Sequence, residues 1–215
     1  MKPIHLHLSK PSGRLKPGAS RFWGDPDLPE GTARPLYVDD EGRERPYCFI
    51  CQINLEEAAP HDPENRLPHR GMLSFFARID NYLGFDMEAE PIGGTISDRE
   101  AVKVLYTPSC ENLRAVPPEE TEDELPHPAE LRIDFDDGPE MPSDEHALFA
   151  LPTHRPWEHW DAPYGKWRIL LQIDSFEGDD FSLNFMDVGV LDLLIAPADL
   201  ERHRFGNVRA IVLSS

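Results

Sequence analysis

Apolar residues in this chain fall in short runs, and most of the runs have the spacing of strands rather than helices. Residues 4–8, IHLHL, alternate apolar and polar and predict a short strand. YCFICQINL at 47–55 and GMLSFFARI at 71–79 are continuously apolar and β-prone, the pattern of buried strands. AVKVLYT at 101–107 alternates, and WRILLQID at 167–174 carries the strongest strand signal. FSLNF, VGVLDLLIAP and VRAIVLS predict three more strands, and LRIDF at 131–135 predicts an edge strand. Helical signals are brief: LEEA after the first apolar run, EHALFAL at 145–151 and ADLERHRF at 198–205. Residues 10–46, rich in Pro, Gly and charge, predict an ordered loop anchored by Phe22 and Trp23.

One phrase is written twice. Gln52 ends an apolar run in QIN, and Gln172 ends another in QID. Gly71 stands 19 residues after Gln52 and opens MLSFF; Gly189 stands 17 after Gln172 and opens VLDLL. The repetition predicts an internal duplication into two related β-rich halves. Asn54 and Asp174 would then close equivalent strands, where their side chains can bond local backbone.

Composition narrows the picture. A length of 215 residues with 40% hydrophobic content suffices for a core without disulfides or metal. The 22 prolines argue against long helices. A net charge of −19 disfavours nucleic-acid backbones and anionic membranes and admits a basic protein partner, although acidity often serves solubility alone. Residues 117–146 hold twelve acids against one base, Arg132, and predict an exposed or mobile connector. Three cysteines without dense spacing imply a reducing compartment. No apolar stretch reaches a membrane span, and MKPIHLHLSK has no continuous apolar signal region, so a cytoplasmic location is expected.

Six segments in order carry a family resemblance: SRFWGDPDLPE at 20–30, FICQINL at 49–55, LPHRGMLSFF at 67–76, LLQIDS at 170–175, MDVGVLDLLI at 186–195 and DLERHRFGNV at 199–208. Together they resemble the YwqG-like bacterial proteins over most of the chain. Trp23 stands where those sequences usually carry Gly, Phe185 or Met186 where a Trp-Gly pair is common, and Gly206 where Asp follows Arg-Phe. The resemblance implies a mixed α+β fold with two related halves and supplies no activity. The placement of some members beside toxin–immunity genes implies a protein-binding role.

The candidate chemistry is weighed against plain structural roles. Cys48 and Cys51 form a C-x-x-C, but in a strand an i, i+3 pair points to opposite faces, which disfavours a redox pair. His5 and His7 share a strand face without further ligands, so a solvated edge strand is the simpler reading. The cluster His154, Trp157, His159 and Trp160 suits either a ligand pocket or a loop plugged onto the core. Asp174, Asp179, Asp180 and Asp187 could serve acid–base chemistry or a cation, yet lack the calcium-loop pattern. Gln52 and Gln172 must find partners if buried, which favours amides that pin neighbouring loops. Arg204 reads as structural. No nucleophile–base pair, cofactor motif or metal set is legible.

The sequence therefore predicts an α+β, β-rich protein of one domain. Its first half spans about 1–107, its acidic connector 108–146 and its second half 147–215. The expected function is a non-enzymatic, immunity- or interaction-type binding module, a monomer or weak dimer. It would meet a basic protein through an acidic face with Glu119, Glu120, Glu122, Asp123 and Glu124. The alternative is an enzyme, or a small-ligand or metal-binding protein, using a cleft between the halves. Trp23, Gln52, His154, Trp157, Trp160, Gln172, Asp174 and Asp187 are its candidate residues.

Overall fold

The computed structural model describes residues 2–79, 92–118, 128–136, 145–152, 160–177, 182–183, 185 and 189–213. The first eight strands are β1 Ile4–Ser9, β2 Arg21–Phe22, β3 Asp27–Pro29, β4 Leu36–Val38, β5 Glu44–Pro46, β6 Cys48–Asn54, β7 Met72–Ala77 and β8 Val102–Thr107. The others are β9 Leu113–Ala115, β10 Leu131–Asp136, β11 Ala147–Leu148, β12 Arg168–Asp174, β13 Phe176–Glu177, β14 Ser182–Leu183, β15 Val190–Ile195 and β16 Arg209–Leu213. Among the described residues two single-turn α-helices accompany them, α1 Leu55–Ala58 and α2 Pro197–Leu200.

Ten strands form one antiparallel sheet in the order β16-β15-β12-β11-β1-β10-β2-β6-β7-β8, curled into a nearly closed barrel. This corrects the expected α+β architecture: among the described residues 40% are strand and 10% helix. Prolines and β-branched runs leave no segment in which a long helix can propagate. EHALFAL, expected as a helix, instead supplies β11 and a left-handed turn at Phe149, with φ 55°. The expected two halves are also corrected, because no duplication is shown. N-terminal β1 lies between β10 and β11, so the sheet is continuous through the middle of the chain. LRIDF, expected at an edge, is β10 and lies inside the sheet order, and β1 is likewise flanked on both sides.

What the repeated QIN/QID phrase does encode is a local bulge. The β6–β7 register shifts between Phe49 and Cys51, and the β12–β15 register shifts between Ile169 and Leu171. Each bulge inserts one residue, so Ile50 and Cys51 both enter the barrel core, as do Leu170 and Leu171. The next residues, Gln52 and Gln172, then face out of the barrel. Cys48 and Cys51 consequently join the same interior cluster, which corrects the opposite faces expected of an unbroken strand. Neither cysteine is in a disulfide, and burial pushes the Cys51 thiol up, so it is not a ready nucleophile. Gly71 and Gly189 are required by close approach: a Cβ on Gly71 would meet the Thr107 backbone oxygen, and one on Gly189 that of Leu213.

The interior cluster joins Ile4, Phe22, Ile53, Phe75, Leu171 and Leu193, among others. Two smaller clusters lie apart from it: Leu28, Tyr47, Phe49 and Phe76 in one, and Ile169, Val190, Leu194 and Ile211 with Trp160 in the other. The barrel seam is closed by irregular chain. Ser97 N donates to Ala210 O (2.7 Å), Val212 N donates to Gly93 O (2.9 Å), and Phe205 packs edge-on against Tyr106 of β8.

His146 sits where β1, β2 and β12 meet. Its backbone oxygen accepts from Leu6 N (2.8 Å), its Nδ1 accepts from Asp174 N (3.0 Å), and its ring lies 5.4 Å from that of Phe22. Burial lowers its pKa to about 4. The unfolded chain therefore takes up this proton first, near pH 6.5, and the stability present above that pH is lost as the pH falls toward 4. Stability at pH 5 should be about 2 kcal/mol below its neutral value through this group. Urea unfolding of the wild type and of His146→Gln across pH 5–7.5 checks this, and equal slopes for the two would refute it.

Candidate functional site

Beside β10 the sheet splits. Leu131 pairs with Phe22 and Arg132 with Arg21, and there the pairing with β2 stops. Beyond it opens a cleft of about 460 Å³, walled by Leu15, Lys16, Ala19 and Ser20 on one side and by Arg132–Phe135 on the other. Glu57 of α1 and His61 of the following turn complete the lining. The His61 ring lies 6.1 Å from that of Phe135.

The split has an identifiable cause. The register that pairs Arg21 with Arg132 would set Ser20 against Ile133 and Gly18 against Phe135. Side chains have already engaged those backbone groups. Ser20 N donates to Glu57 Oε2 (3.0 Å), and Gly18 N donates to Asp27 Oδ2 (2.8 Å). Gly18 O accepts from Asn54 Nδ2 (2.7 Å), and Ala19 O accepts from Gln52 Nε2 (2.8 Å). Farther back, Lys16 O accepts from the Arg21 guanidinium (3.1 Å), and Leu15 N donates to Glu130 Oε1 (2.7 Å).

These partners belong to one buried network. Arg21 bridges Asp27 Oδ2 (2.7 Å) and Glu130 Oε2 (2.9 Å), with the Arg21 and Asp27 side chains 2% and 0% exposed. Gln52 closes a reciprocal pair with Asp27: its Oε1 accepts from Asp27 N (2.8 Å) and its Nε2 donates to Asp27 Oδ2 (2.8 Å). A buried charge of each sign is tolerated because the two are paired and hydrogen-bonded. The bulge in β6 makes this possible by turning Gln52 outward, where the 15–30 segment lies across the sheet.

Trp23 follows at once. It is fully buried, stands edge-on to Phe22 (4.5 Å between rings) and donates its backbone N–H to Ile50 O (2.8 Å). Its φ is +57°. That left-handed backbone suits glycine and costs a bulky residue about 1–2 kcal/mol. Burial of the indole among core side chains offsets the strain.

The other described candidates are each engaged in local packing or hydrogen bonds. Gln172 is buried and donates through Nε2 to Glu145 O (2.9 Å), so both glutamines fix neighbouring chain segments. Asp174 ends β12 with its backbone N–H on His146. Trp160 belongs to a separate cluster, donates Nε1 to Trp167 O (3.0 Å), and lines a smaller cavity of about 180 Å³ with Ile96, Asp161 and Tyr164. Trp23 and Trp160 lie in different clusters. His154, Trp157 and Asp187 lie outside the described residues, as do His159, Asp179, Asp180, Glu119, Glu120, Glu122, Asp123 and Glu124. His5 is buried against Glu145 (2.6 Å) while His7 is exposed near Asp136, so the pair does not act as one ligand set. Among the described residues no three His, Cys, Asp or Glu side chains are grouped to hold a metal. Arg204 pairs with Asp199 (2.7 Å).

Sequence reasoning missed Arg21, Asp27, Lys16, Ser20, Glu57, His61 and the β10 wall. Ser20, Arg21 and Asp27 all fall in SRFWGDPDLPE, and Gln52 and Asn54 fall in FICQINL. Two of the segments that carried the resemblance thus meet in the network.

The network should be costly to break. Asp27→Ala leaves Arg21 buried with half its charge partners and should destabilise by about 3–5 kcal/mol. Gln52→Leu removes the amide while keeping most of the volume and should lose about 1–3 kcal/mol. The double variant should lose less than the sum. Equilibrium urea unfolding measures all three, and a change below about 1 kcal/mol for Asp27→Ala would contradict the account.

No curated protein matches the chain. A family model matches residues 20–212, which reach from Ser20 at the wall of the cleft to Val212 in the last strand. The chain belongs to the family described as a domain of unknown function, DUF1963.

Proposed function

We propose that this protein is a non-enzymatic binding module, YwqG-like within its family, and that the cleft beside β10 receives a segment of a basic protein partner. The observation that carries the reading is the cleft itself. Its walls are held apart in advance by a buried network, so binding need not first order them. Concave, preformed sites that combine apolar surface with polar groups are where ligands bind, and this one sets Leu15, Ile133 and Phe135 beside Lys16, Glu57 and Arg132. Charge supplies the choice of partner. β10 lies within residues 117–146, where twelve acids face one base, and the whole chain carries −19. Such a field raises the association rate of cationic partners and repels anionic ones. No helix among the described residues is long and apolar enough to cross a membrane. The proposed module is cytoplasmic and acts as a monomer or weak dimer.

Ala19→Trp tests the reading, because Ala19 lines the cleft and its backbone bonds do not involve its side chain. Tagged wild type should retain a basic protein from lysate of the source cells at low salt and release it at high salt. Ala19→Trp, with an unchanged melting temperature, should not retain it. Equal retention by both proteins, or none by either, would sink the proposal.

A further inference from the structure

β10 has one open side inside the sheet, and the backbone groups on that side can be named. Leu6 of β1 donates its N–H to His146 O, away from β10. In an antiparallel ladder each residue turns its N–H and C=O to the same neighbour, and successive residues alternate. Leu6 opposite Phe135 is therefore a non-hydrogen-bonded pair, while His5 with Asp136 and His7 with Asp134 exchange the bonds of the β1–β10 ladder. It follows that Ile133 and Phe135 aim their N–H and C=O away from β1 and into the cleft. Ser20 and Gly18 would meet them if β2 continued, but Glu57, Asp27 and Asn54 hold the relevant groups of those residues. Among the described residues, no strand pairs with β10 at these positions.

We propose that the cleft is a strand-addition site: an extended segment of a basic partner pairs with Ile133 and Phe135 and completes the sheet between β10 and the 15–20 wall. This rests on the binding reading given above and specifies its occupant. Four hydrogen-bonding groups set at strand spacing match an extended peptide backbone, the recognition mode in which main-chain bonds give affinity and alternate side chains give specificity. The pleat dictates those side chains. Residues of the occupant that share a face with Ile133 and Phe135 meet apolar surface that includes Leu15 and the barrel core. Their alternates share the outer face with Asp134 and Asp136, which are exposed. Asp134 also pairs with Arg132 (2.8 Å) and Asp136 with His7 (3.5 Å), so basic side chains of the occupant share or replace those partners. The occupant is thus an alternating apolar and basic segment of about four to six residues, at roughly 3.3 Å per residue along β10.

A displayed library of random octapeptides, selected on the immobilised full-length protein and counter-selected on Ala19→Trp, supplies the probes. Selected peptides should alternate apolar residues with Lys or Arg. Each is then synthesised with backbone N-methyl groups on alternate residues, in both parities. One parity removes the N–H groups that face β10 and should weaken binding about tenfold or more, and the other should change it less than about twofold. Amide exchange supplies the protein-side readout. Ile133 and Phe135 should exchange fast in the free protein and slowly with peptide, while Asp134 and Asp136 are protected throughout. Cleft-dependent peptides that tolerate both methylation parities and leave Ile133 and Phe135 unprotected would overturn strand addition and spare the binding reading. No enrichment that depends on an open cleft would overturn both.

Discussion

The pairing of Arg21 with Asp27 under Gln52 decides how this sheet is built. A strand that crosses a barrel normally satisfies its backbone from both neighbours, and β2 is only two residues long. The residues before it cannot extend the strand, because their amides and carbonyls are held by Glu57, Asp27, Asn54 and Gln52. Side-chain hydrogen bonds can compete with a ladder in this way because the backbone must be satisfied once, by whichever partner is placed better. Here the side chains are placed by a buried ion pair with 2% and 0% exposure, in which the loss of either partner would strand a charge in the core. The same interaction that fixes the 15–20 segment therefore also opens β10.

That network depends in turn on a bulge. Strict alternation along β6 would send Gln52 into the barrel, among Phe75 and Leu73, where an amide has no partners. One inserted residue turns it outward to meet the 15–30 segment. β12 uses an equivalent irregularity to turn Gln172 toward Glu145 O, and Asp174 N is bonded to His146 beside it. In both places an apolar strand changes face at the residue before a glutamine, and the glutamine fixes a segment that lies across the sheet. A shared local device does not make two halves, since β1, β2, β10 and β11 join the flanks into one sheet.

This explains what the sequence disclosed and what it concealed. The buried strands were legible because period and apolar content decide them locally: β6, β7, β8, β12, β15 and β16 lie within the segments predicted for them. The faces of residues after a bulge were not legible, since one inserted residue reverses every later side chain; the opposite faces expected of Cys48 and Cys51 failed for that reason. EHALFAL has helical composition, yet its central residues are held as a strand between β1 and β12, where tertiary pairing overrides local preference. Gln52 stood out as an amide in an apolar run. Arg21 and Asp27 did not, because a loop rich in Pro, Gly and charge gives no sign of which charges will be buried. The cleft was least legible, since it arises from strand pairing that does not form.

An unpaired strand edge invites association with other copies. The ends of the large sheet are guarded: residues 93–97 bond to β16, and Phe205 packs on Tyr106 of β8. The β10 opening is guarded differently. It is recessed in a cleft rather than carried on an exposed rim, and Asp134 and Asp136 stand on its outer face within a chain of net charge −19. Two copies brought edge to edge would set like charges against each other directly across strands, which is unfavourable. A basic strand meets the opposite sign at the same positions. Exclusion of self and admission of a cationic partner follow from one arrangement of charge, and the alternation of Ile133, Asp134, Phe135 and Asp136 along β10 supplies it.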